Sequence, residues 1–322
     1  MEDISYIKKH ELKLLQRLNY IYNYLNYSFL LEQNQVSIKI TEKYYKSTRV
    51  PFYRIFCSKY GFMHIGLSFD GKYIKNRRYE FAHAKIISEY LKNIPAGNIL
   101  EIGCGQGANL KYLGEHFPFL NFLGVDLIPG SILNGKMPPN VSFIKDDYHK
   151  LSSIENNSIE CIFAIETICY STDKERLFNV LYQKLKTDGI LIIFDGYSCS
   201  DRKYYSQIER LCLDILENAY HINSFEYIGF VENAIEKAGF SFILNKNLDK
   251  YANPYFLNLE SRIECYCLLG ALIKLILKYL PTEITGSMVP GYILGEMVRS
   301  KLVCYKLHVL KKEVKTNEIL YK

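Results

Sequence analysis

The residues best suited to chemistry cluster in one short stretch, Asn98–Asn109, with the sequence NILEIGCGQGAN. Glu101 precedes three glycines at every second position, Gly103, Gly105 and Gly107. Glycine adopts φ values that other residues avoid, and it lets a ligand approach the backbone closely. A helix that begins after such a turn offers unpaired N–H donors at its N-terminus. The stretch therefore predicts a site for a nucleotide cofactor.

Glu101 discriminates between the possible cofactors. The pattern Gly103-x-Gly105-x-x-Ala108 also satisfies the dinucleotide fingerprint. A carboxylate at the mouth of the turn would repel a pyrophosphate, but it suits S-adenosylmethionine (SAM), which carries an ammonium, a sulfonium and no phosphate. Asp126 ends the next apolar segment, FLGVD, at the distance where a carboxylate commonly accepts both ribose hydroxyls. We expect SAM rather than NAD, and a generic βαβ unit with a chance acid is the competing interpretation.

Strands and helices must alternate to position these residues. Short apolar runs bounded by turn residues predict strands at 98–102, 121–126, 141–145, 159–165, 189–195, 240–248 and 301–311. Helices are expected near 107–116, 129–135, 148–153, 174–186, 202–220 and 228–238. This order is typical of a doubly wound α/β fold with a mostly parallel sheet. The last strand has an alternating pattern, which predicts one face in water.

Segments outside this alternation predict additions to an α/β core at 96–250. Residues 1–95 are expected to form a helical N-terminal extension and cap, including a helix at Arg78–Leu91. Residues 251–300 are expected to form a helical lid or insertion, and residues 301–322 the final strand and a tail. The insertion contains an apolar run at 268–280 and a second helix near 290–299. The run is too short to span a bilayer, so a lid, a substrate wall, a packed helix and a dimer contact all stay open.

Composition limits the classes of partner and compartment. The 322 residues carry a formal net charge of +6, but basic and acidic residues interleave, and the basic cluster at 72–78 is short. This favours a solvated surface over nucleic-acid binding. The nine cysteines contain no Cys-x-x-Cys pair, and the chain opens without a signal-peptide pattern, so we expect reduced thiols in the cytoplasm. The seven histidines are dispersed, and no metal site is expected.

Five sequence blocks carry a resemblance to a known family. They are LEIGCGQG, GVD at 124–126, FIKDDYHKL at 143–151, IFAIETICYS at 162–171 and LKTDGILIIFDGY at 185–197. Through them, residues 98–195 resemble the class I SAM-dependent methyltransferases, which implies a seven-stranded Rossmann-like sheet. The family usually has Pro-Gly-Gly where this chain has Thr187-Asp188-Gly189. The segments YYKSTRVPFYRIF, HIGLS and AIETICYS resemble the group that methylates carbon atoms of sterols and prenyl diphosphates.

The resemblance implies a set of cofactor-binding residues. Glu101 and the glycine turn would hold the methionine part of SAM, and Asp126 would hold the ribose, with Leu127 against the adenine. Asp147 would accept the adenine amino group, although the adjacent Asp146 competes for that role. The full expected set is Glu101, Gly103, Cys104, Gly105, Gly107, Asp126, Leu127, Asp147, Tyr148 and Ile165.

Glu166 is the main candidate for catalysis because it follows the fourth predicted strand, at the crevice where open α/β sheets bind ligands. When an alkene attacks a methyl group it becomes a carbocation, which a carboxylate or the faces of aromatic rings can stabilise. We therefore expect Glu166, His64 and Tyr45 to be catalytic, and Tyr44, Glu166 and Tyr170 to bind the substrate. A hydrogen-bonded structural histidine and aromatic core residues are the competing interpretations.

Four functional hypotheses follow. The first is methylation of a carbon atom in a small, isoprenoid-like or lipid-like acceptor, and the second is N- or O-methylation of a natural product or polar metabolite. An RNA or protein methyltransferase is disfavoured because the sequence lacks a basic stripe and the Asn/Asp-Pro-Pro-Tyr motif. A protein that binds SAM without catalysis is disfavoured because competent residues occupy the cofactor positions. The acceptor, the pathway and a homo-oligomeric state stay open.

Overall fold

A seven-stranded sheet organises this computed structural model, which describes residues 8–32, 59–75, 77–128, 136–280 and 285–313. The strand order is β3-β2-β1-β4-β5-β7-β6. The strands are β1 (Gly97–Ile102), β2 (Leu120–Asp126), β3 (Val141–Lys145), β4 (Ile159–Ile165), β5 (Leu185–Ser198), β6 (Phe240–Asn247) and β7 (Val303–Lys312). The predicted doubly wound fold with a mostly parallel sheet is confirmed.

Helices follow most of the strands. In the described residues they are α1 (Lys9–Tyr22), α2 (Ala82–Leu91), α3 (Ala108–His116), α4 (Lys174–Lys184), α5 (Gln207–Tyr220), α6 (Ile228–Ala238), α7 (Asp249–Cys267), α8 (Ala271–Tyr279) and α9 (Met288–Arg299). None of these helices combines the length and the apolar composition that a bilayer crossing requires.

The strand order reverses direction between β1 and β4. Strand β1 pairs in parallel with β2 on one side and with β4 on the other. Ile102, the last residue of β1, lies opposite Ala164, one residue before the end of β4. The carboxyl ends of the two strands therefore meet at one edge, which is the position where open α/β sheets bind ligands.

The central strands are apolar because both of their faces are buried. Ile99, Leu100 and Ile102 of β1 have no exposed surface, and the same holds for Ile162 and Phe163 of β4. A parallel strand covered on both faces favours an unbroken apolar run over alternation. This burial fixes the ends of β1 and β4, and with them the turns that follow.

The chain divides into two compact units. One unit comprises 1–82, 196–228 and 247–305, and the other comprises 83–195, 229–246 and 306–322. The second unit holds all the predicted cofactor-binding residues. The domain boundaries predicted from the sequence, at 96–250 for the core and 251–300 for the insertion, stay predictions.

A charged cluster joins three helices of the first unit. The Arg17 guanidinium lies 3.0 Å from the Glu260 carboxylate, and Arg299 lies 2.8 Å from the other oxygen of the same group. Arg299 also lies 3.0 Å from Glu296. Both carboxylates are buried, so ionising either of them costs desolvation energy. The neighbouring guanidinium groups offset that cost.

The prediction that one face of the last strand is wet is wrong. In β7, alternate residues on both faces are buried, including Cys304 and His308 on one face and Tyr305 and Val309 on the other. The reason is topological: β7 lies between β5 and β6, so it is an inner strand. Alternation in the sequence reports polarity, and it cannot tell an edge strand from an inner one.

The predicted helix at 148–153 is also wrong, since this segment forms turns. Asp146 and Asp147 accept hydrogen bonds from nearby backbone N–H groups, which competes with helix formation. The helix predicted at 202–220 begins only at Gln207, and Ser206 caps its N-terminus. A separate turn of 3-10 helix at Arg202–Tyr204 precedes it. The helix predicted at 129–135 lies outside the described residues.

Candidate active site

The glycine turn after β1 is closed tightly. Gly103, Gly105 and Gly107 have φ values of 64°, 51° and 74°, in the left-handed region that favours glycine. A Cβ atom on Gly103 would lie 2.3 Å from the Thr167 side chain, and one on Gly107 would lie 2.6 Å from the Phe143 ring. The turn therefore needs glycine for both conformation and space, and it leaves the N-terminus of α3 without a side-chain cap.

Glu101 is a buried carboxyl group with one unused acceptor. Its side chain is buried, Oε1 accepts a hydrogen bond from Asn109 Nδ2 at 3.2 Å, and Oε2 is buried without a hydrogen-bond partner. Burial raises the pKa of Glu101 well above its ordinary value, and the nearby Asp126 raises it further. A buried, half-satisfied carboxyl group fits a cationic ligand such as the ammonium of SAM, which would offset the cost of ionisation.

Asp126 joins the end of β2 to the glycine turn. Its Oδ2 accepts the Gly105 N–H at 2.9 Å, and its Oδ1 accepts the Ile128 N–H at 2.8 Å. An ionised carboxylate offers about four acceptor positions, so two hydroxyl groups of a ribose could still bind. The sequence predicted a ligand contact, and the structure adds that this side chain also builds the turn.

The loop after β3 holds Asp147 through its neighbour His149. Asp147 Oδ1 lies 2.9 Å from both the backbone N and the ring Nδ1 of His149. Burial raises the pKa of Asp147, but the hydrogen bonds and charge of His149 outweigh burial, so the net shift is downward. His149 Nε2 lies 2.8 Å from Ser171 Oγ, which joins this loop to the loop after β4.

Asp146 and Tyr148 flank Asp147 in the same loop. Asp146 Oδ1 accepts the Asp147 N–H at 2.7 Å, so its carboxylate is partly used by the loop itself. The Tyr148 hydroxyl donates to the Thr167 carbonyl at 3.5 Å, and burial raises the pKa of Tyr148 well above its ordinary value. Both acids are half-buried, so either could meet an adenine amino group.

Glu166 occupies a strained position directly after β4. Its φ is 50°, a conformation that few residues other than glycine adopt, and its N–H donates to the Phe194 carbonyl at 2.8 Å. Its side chain is half-buried, whereas the preceding Ile165 is buried. Backbone strain of this kind costs roughly 1–3 kcal/mol and is found preferentially at functional sites.

Asp195 and Thr167 hold the Glu166 turn in place. Asp195 is almost completely buried, and one of its oxygens, Oδ2, accepts the N–H groups of Thr167 and Cys169, each at 3.1 Å. The Thr167 hydroxyl lies 3.2 Å from the Ile165 carbonyl and 3.4 Å from the Gly103 carbonyl. Two strand ends and the glycine turn therefore fix the residue that follows Glu166.

The remaining predicted residues of this unit lie beside the two turns. Cys104 is buried against Gly124, and burial raises its pKa well above the ordinary value, with Glu101 and Asp126 adding to the shift. A thiol held neutral in this way is a poor nucleophile. Leu127 is half-buried next to Asp126, and Tyr170 donates its N–H to the Thr167 carbonyl at 3.2 Å.

The predicted aromatic residues of the first unit are only partly described. Tyr44 and Tyr45 lie outside the described residues, so their roles stay predictions. His64 lies in the first unit, where its Nδ1 is 2.9 Å from the Ile65 carbonyl and its ring packs near the Phe62 ring. Because a carbonyl only accepts, Nδ1 carries the proton in this contact, and the proposed catalytic role of His64 stays a prediction.

One group in the described part of the chain has the spacing of metal ligands. It consists of His10, Glu11 and Glu209, whose ligand atoms lie within 4.8 Å of one another, and it belongs to the first unit. Glu11 accepts the Lys8 N–H at 2.6 Å, and Glu209 accepts the Ser206 N–H at 2.8 Å, so both carboxylates serve as helix caps. None of the residues predicted for the active site belongs to this group.

Sequence reasoning missed three residues that shape the site: His149, Thr167 and Asp195. A usable signal existed for each, because all three lie within the sequence blocks quoted above and close to the carboxyl end of a strand. In a parallel sheet these ends share one edge, so polar residues there are candidates for the site. Their roles were hidden because each contacts a group that is distant in sequence: a backbone group for Thr167 and Asp195, and the Ser171 hydroxyl for His149.

Comparison with known proteins agrees with this geometry. Residues 100–193 match a family model described as a methyltransferase domain. Over 167 residues the chain is 21% identical to the sterol 24-C-methyltransferase of Saccharomyces cerevisiae, covering 49% of this chain and 43% of that protein. Over 171 residues it is 25% identical to phosphoethanolamine N-methyltransferase 2 of Caenorhabditis elegans, covering 51% of this chain and 37% of that protein.

A solved structure shares the fold. The geranyl diphosphate C-methyltransferase of Streptomyces coelicolor A3(2), in complex with Mg²⁺, geranyl diphosphate and S-adenosylhomocysteine, has a TM-score of 0.59 at 14% identity, covering 84% of this chain and 97% of that one. The chain spans about half the length of the curated relatives it matches. The chain thus contains a stretch, residues 100–193, that matches a methyltransferase domain, and it shares its fold with a solved prenyl-diphosphate C-methyltransferase; both findings agree with the predicted SAM cofactor.

Replacing Glu101 with glutamine should separate stability from cofactor binding. The pKa of Glu101 in the native state is raised well above its ordinary value of 4.5. Between pH 4.5 and the raised pKa, Glu101 is therefore protonated in the native state and ionised in the unfolded state. This group therefore lowers the free energy of unfolding at neutral and higher pH. We expect Glu101→Gln to raise the melting temperature without SAM at pH 8, and to weaken SAM binding by about tenfold or more.

Thermal unfolding and calorimetry measure these two effects. Wild-type affinity for SAM should increase with pH as Glu101 ionises, and the variant should lose that contribution. Glu115→Gln, on the exposed side of α3, is the matched control and should change neither quantity. A Glu101→Gln protein that binds SAM as tightly as the wild type would remove Glu101 from the cofactor site.

Replacing Asp195 should test how the Glu166 turn is held. Asp195→Ala leaves two buried N–H groups without their acceptor, so we expect the free energy of unfolding to fall by about 2 kcal/mol or more. Asp195→Asn keeps a carbonyl oxygen that can accept both bonds, so it should lose clearly less. Urea unfolding of both variants measures the difference, and equal losses would contradict the hydrogen-bonding role.

Proposed function

We propose that this methyltransferase domain transfers the methyl group of SAM to a carbon atom of a small apolar acceptor, isoprenoid-like or lipid-like. The observation that carries the proposal is Glu166, a half-buried acid in a left-handed backbone conformation directly after β4. It stands beside the glycine turn that the cofactor needs, because Thr167 packs against Gly103. The similarity to a sterol 24-C-methyltransferase supports the same reaction class.

The cofactor residues in this proposal are those of the second unit. SAM, when bound, supplies an electrophilic methyl group on a sulfonium. Glu101 would hold the ammonium through its open acceptor, and Asp126 would accept the ribose hydroxyls. Asp147 or Asp146 would accept the adenine amino group. Cys104, Leu127, Tyr148 and Ile165 would line the same cofactor.

A carboxylate at Glu166 would suit the chemistry of an alkene acceptor. As the new carbon–carbon bond forms and the carbon–sulfur bond breaks, the acceptor becomes a carbocation. Glu166 would stabilise that cation electrostatically and accept the proton that leaves the neighbouring carbon, which restores a double bond. A fixed negative charge in a site that excludes water is effective for this purpose. Tyr170 would supply an aromatic face for the acceptor. The roles predicted from the sequence for His64, Tyr44 and Tyr45 stay part of the proposal.

The second candidate function is N- or O-methylation of a polar metabolite. The similarity to a phosphoethanolamine N-methyltransferase favours it, at a comparable identity and coverage of this chain. In that reaction Glu166 would accept a hydrogen bond from an amine or hydroxyl of the acceptor. A heteroatom acceptor needs at most a base for one proton, so the rate would depend less on a fixed charge than in methylation of an alkene.

The wider setting of the enzyme is part of the proposal. We propose a small-molecule acceptor rather than nucleic acid, and a cytoplasmic location. The eight cysteines in the described residues are free thiols, and burial raises the pKa of several, including Cys161 and Cys212. Reduced, neutral thiols agree with that compartment. A homo-oligomer is compatible with the sequence.

Acceptor screening tests the proposed function directly. Purified protein and SAM labelled on the methyl group are incubated with a sterol, a prenyl diphosphate and phosphoethanolamine in parallel. We expect label in an apolar product, with a new carbon–methyl signal in its NMR spectrum. Transfer only to nitrogen or oxygen would overturn C-methylation in favour of the second candidate.

Replacing Glu166 tests its catalytic role. If the carboxylate stabilises charge that develops mainly in the transition state, Glu166→Gln should lower the single-turnover rate by about 10²–10³-fold and leave SAM affinity nearly unchanged. Glu115→Gln serves as the control for loss of a negative charge. A rate within a few-fold of the wild type in folded Glu166→Gln would remove Glu166 from the mechanism and favour N- or O-methylation.

Chelation tests the expectation that catalysis needs no metal. The one cluster with ligand spacing among the described residues is used for helix capping, so we expect turnover to survive exhaustive EDTA treatment. Loss of activity that a single divalent ion restores would contradict this expectation. A further His10→Ala variant would then show whether this cluster is responsible.

A further inference from the structure

Helix α8 and two leucines that precede it present an apolar surface to solvent. Six side chains form it, which we name the α8 surface: Leu268, Leu269, Leu272, Leu275, Ile276 and Tyr279. Leu268 is 81% exposed and Tyr279 is 77% exposed, and the other four are between 43% and 55% exposed. Scattered exposed apolar residues are normal, but a contiguous group of this kind marks an interaction site.

The opposite side of α8 is anchored in the first unit. Ile273 and Leu277 lie one helical turn apart, and they are only 7% and 5% exposed. Burial of these two residues fixes the rotation of the helix about its axis. The α8 surface therefore faces away from its own unit because of the packing of its inner side.

Two lysines lie beside the α8 surface. Successive residues of a helix are rotated by about 100° around its axis. On this geometry the four apolar side chains of the helix itself share a sector about 100° wide: Leu272, Leu275, Ile276 and Tyr279. Lys274 and Lys278 lie within about 40° of each other, on the flank of that sector. Both lysines are exposed, and Lys274 Nζ lies 5.7 Å from the centre of the Tyr24 ring. The sequence from 265 to 280 contains these two cations and no acid.

We infer that the α8 surface binds the headgroup region of a lipid bilayer that contains anionic lipids. A helix that lies in this interface buries an apolar sector and places lysines beside it, where their ammonium groups meet phosphate. Anionic lipids attract each such cation when it lies near the membrane. The exposed leucines and tyrosine supply the apolar sector, and Lys274 and Lys278 supply the charge.

A second copy of this chain fits the α8 surface less well. If α8 packed against α8 of a second copy about a two-fold axis, Lys274 and Lys278 of both copies would lie at the rim of the contact, and the segment from 265 to 280 has no acid to pair with them. Like charges without partners at a rim add the cost of repulsion between the copies and no attraction. A membrane avoids the cost because its phosphates are the partners.

Vesicle flotation with the full-length protein tests the inference. We expect the protein to float with vesicles of phosphatidylcholine and phosphatidylglycerol, less with pure phosphatidylcholine, and less in high salt. Leu272→Gln with Ile276→Gln should weaken binding by about tenfold or more. Lys274→Gln with Lys278→Gln should weaken binding to anionic vesicles by about tenfold and barely affect binding to neutral ones.

Matched controls separate this surface from general effects. Leu12→Gln with Ile243→Gln replaces two apolar residues that are 49% and 54% exposed elsewhere, and Lys9→Gln with Lys85→Gln removes two exposed lysines elsewhere. Both controls should bind vesicles like the wild type. Unchanged SAM affinity in all four variants would show that they are folded.

Two outcomes would overturn the inference. One is a negative flotation result: the wild-type protein does not bind anionic vesicles, or the α8 variants bind them as well as the wild type does. The other is a dimer, seen by analytical ultracentrifugation without lipid, that the α8 variants dissociate, which would make this surface an interface between copies. The inference uses no residue of the proposed active site, so its failure would leave the proposed function untouched.

Discussion

The close packing of Thr167 against Gly103 is the constraint on which the site depends. A Cβ atom on Gly103 would come within 2.3 Å of this side chain, so the turn after β1 and the turn after β4 fit together only with glycine at this position. The contact exists because β1 and β4 are parallel neighbours where the strand order reverses. The turn predicted to bind the cofactor and the turn that bears Glu166 are thereby brought together by topology, and side-chain packing then fixes their separation.

Hydrogen bonds made by polar side chains extend this constraint to the neighbouring strands. Asp126 holds the glycine turn from the end of β2, and Asp195 holds the Glu166 turn from β5. His149 joins the loop after β3 to Ser171 in the loop after β4. Buried backbone N–H groups need acceptors wherever the chain leaves regular structure. Acids at strand ends meet that need, so the same residue types that recognise a cofactor also build its site.

The fold and part of the site were predictable from the sequence for a physical reason. Buried parallel strands require unbroken apolar runs, and a glycine turn requires its glycines, so both leave local signals such as Ile99–Ile102 and Gly103–Gly107. The places of Asp195 and His149 near strand ends mark them as candidates for the site, but their roles left no local signal, because the Thr167 N–H and the Ser171 hydroxyl that they contact are distant in sequence. The inner position of β7 depends on strand order, which alternation does not encode. The short Asx-type turns at Asp146 and Asp147 looked like a helix because their composition alone is ambiguous.

Two glutamates of this site illustrate how environment separates chemical roles. Glu101 is buried, and burial raises its pKa, so it gains most from a permanent cation such as an ammonium. Glu166 is half-buried in a conformation that glycine would adopt without strain, so backbone geometry does not call for a glutamate there. The chain instead keeps a carboxylate in a strained turn that Asp195 and Thr167 hold rigidly. A rigidly placed carboxylate is most useful when the positive charge it stabilises exists only in the transition state. The site then does not have to reorganise around that charge during the reaction.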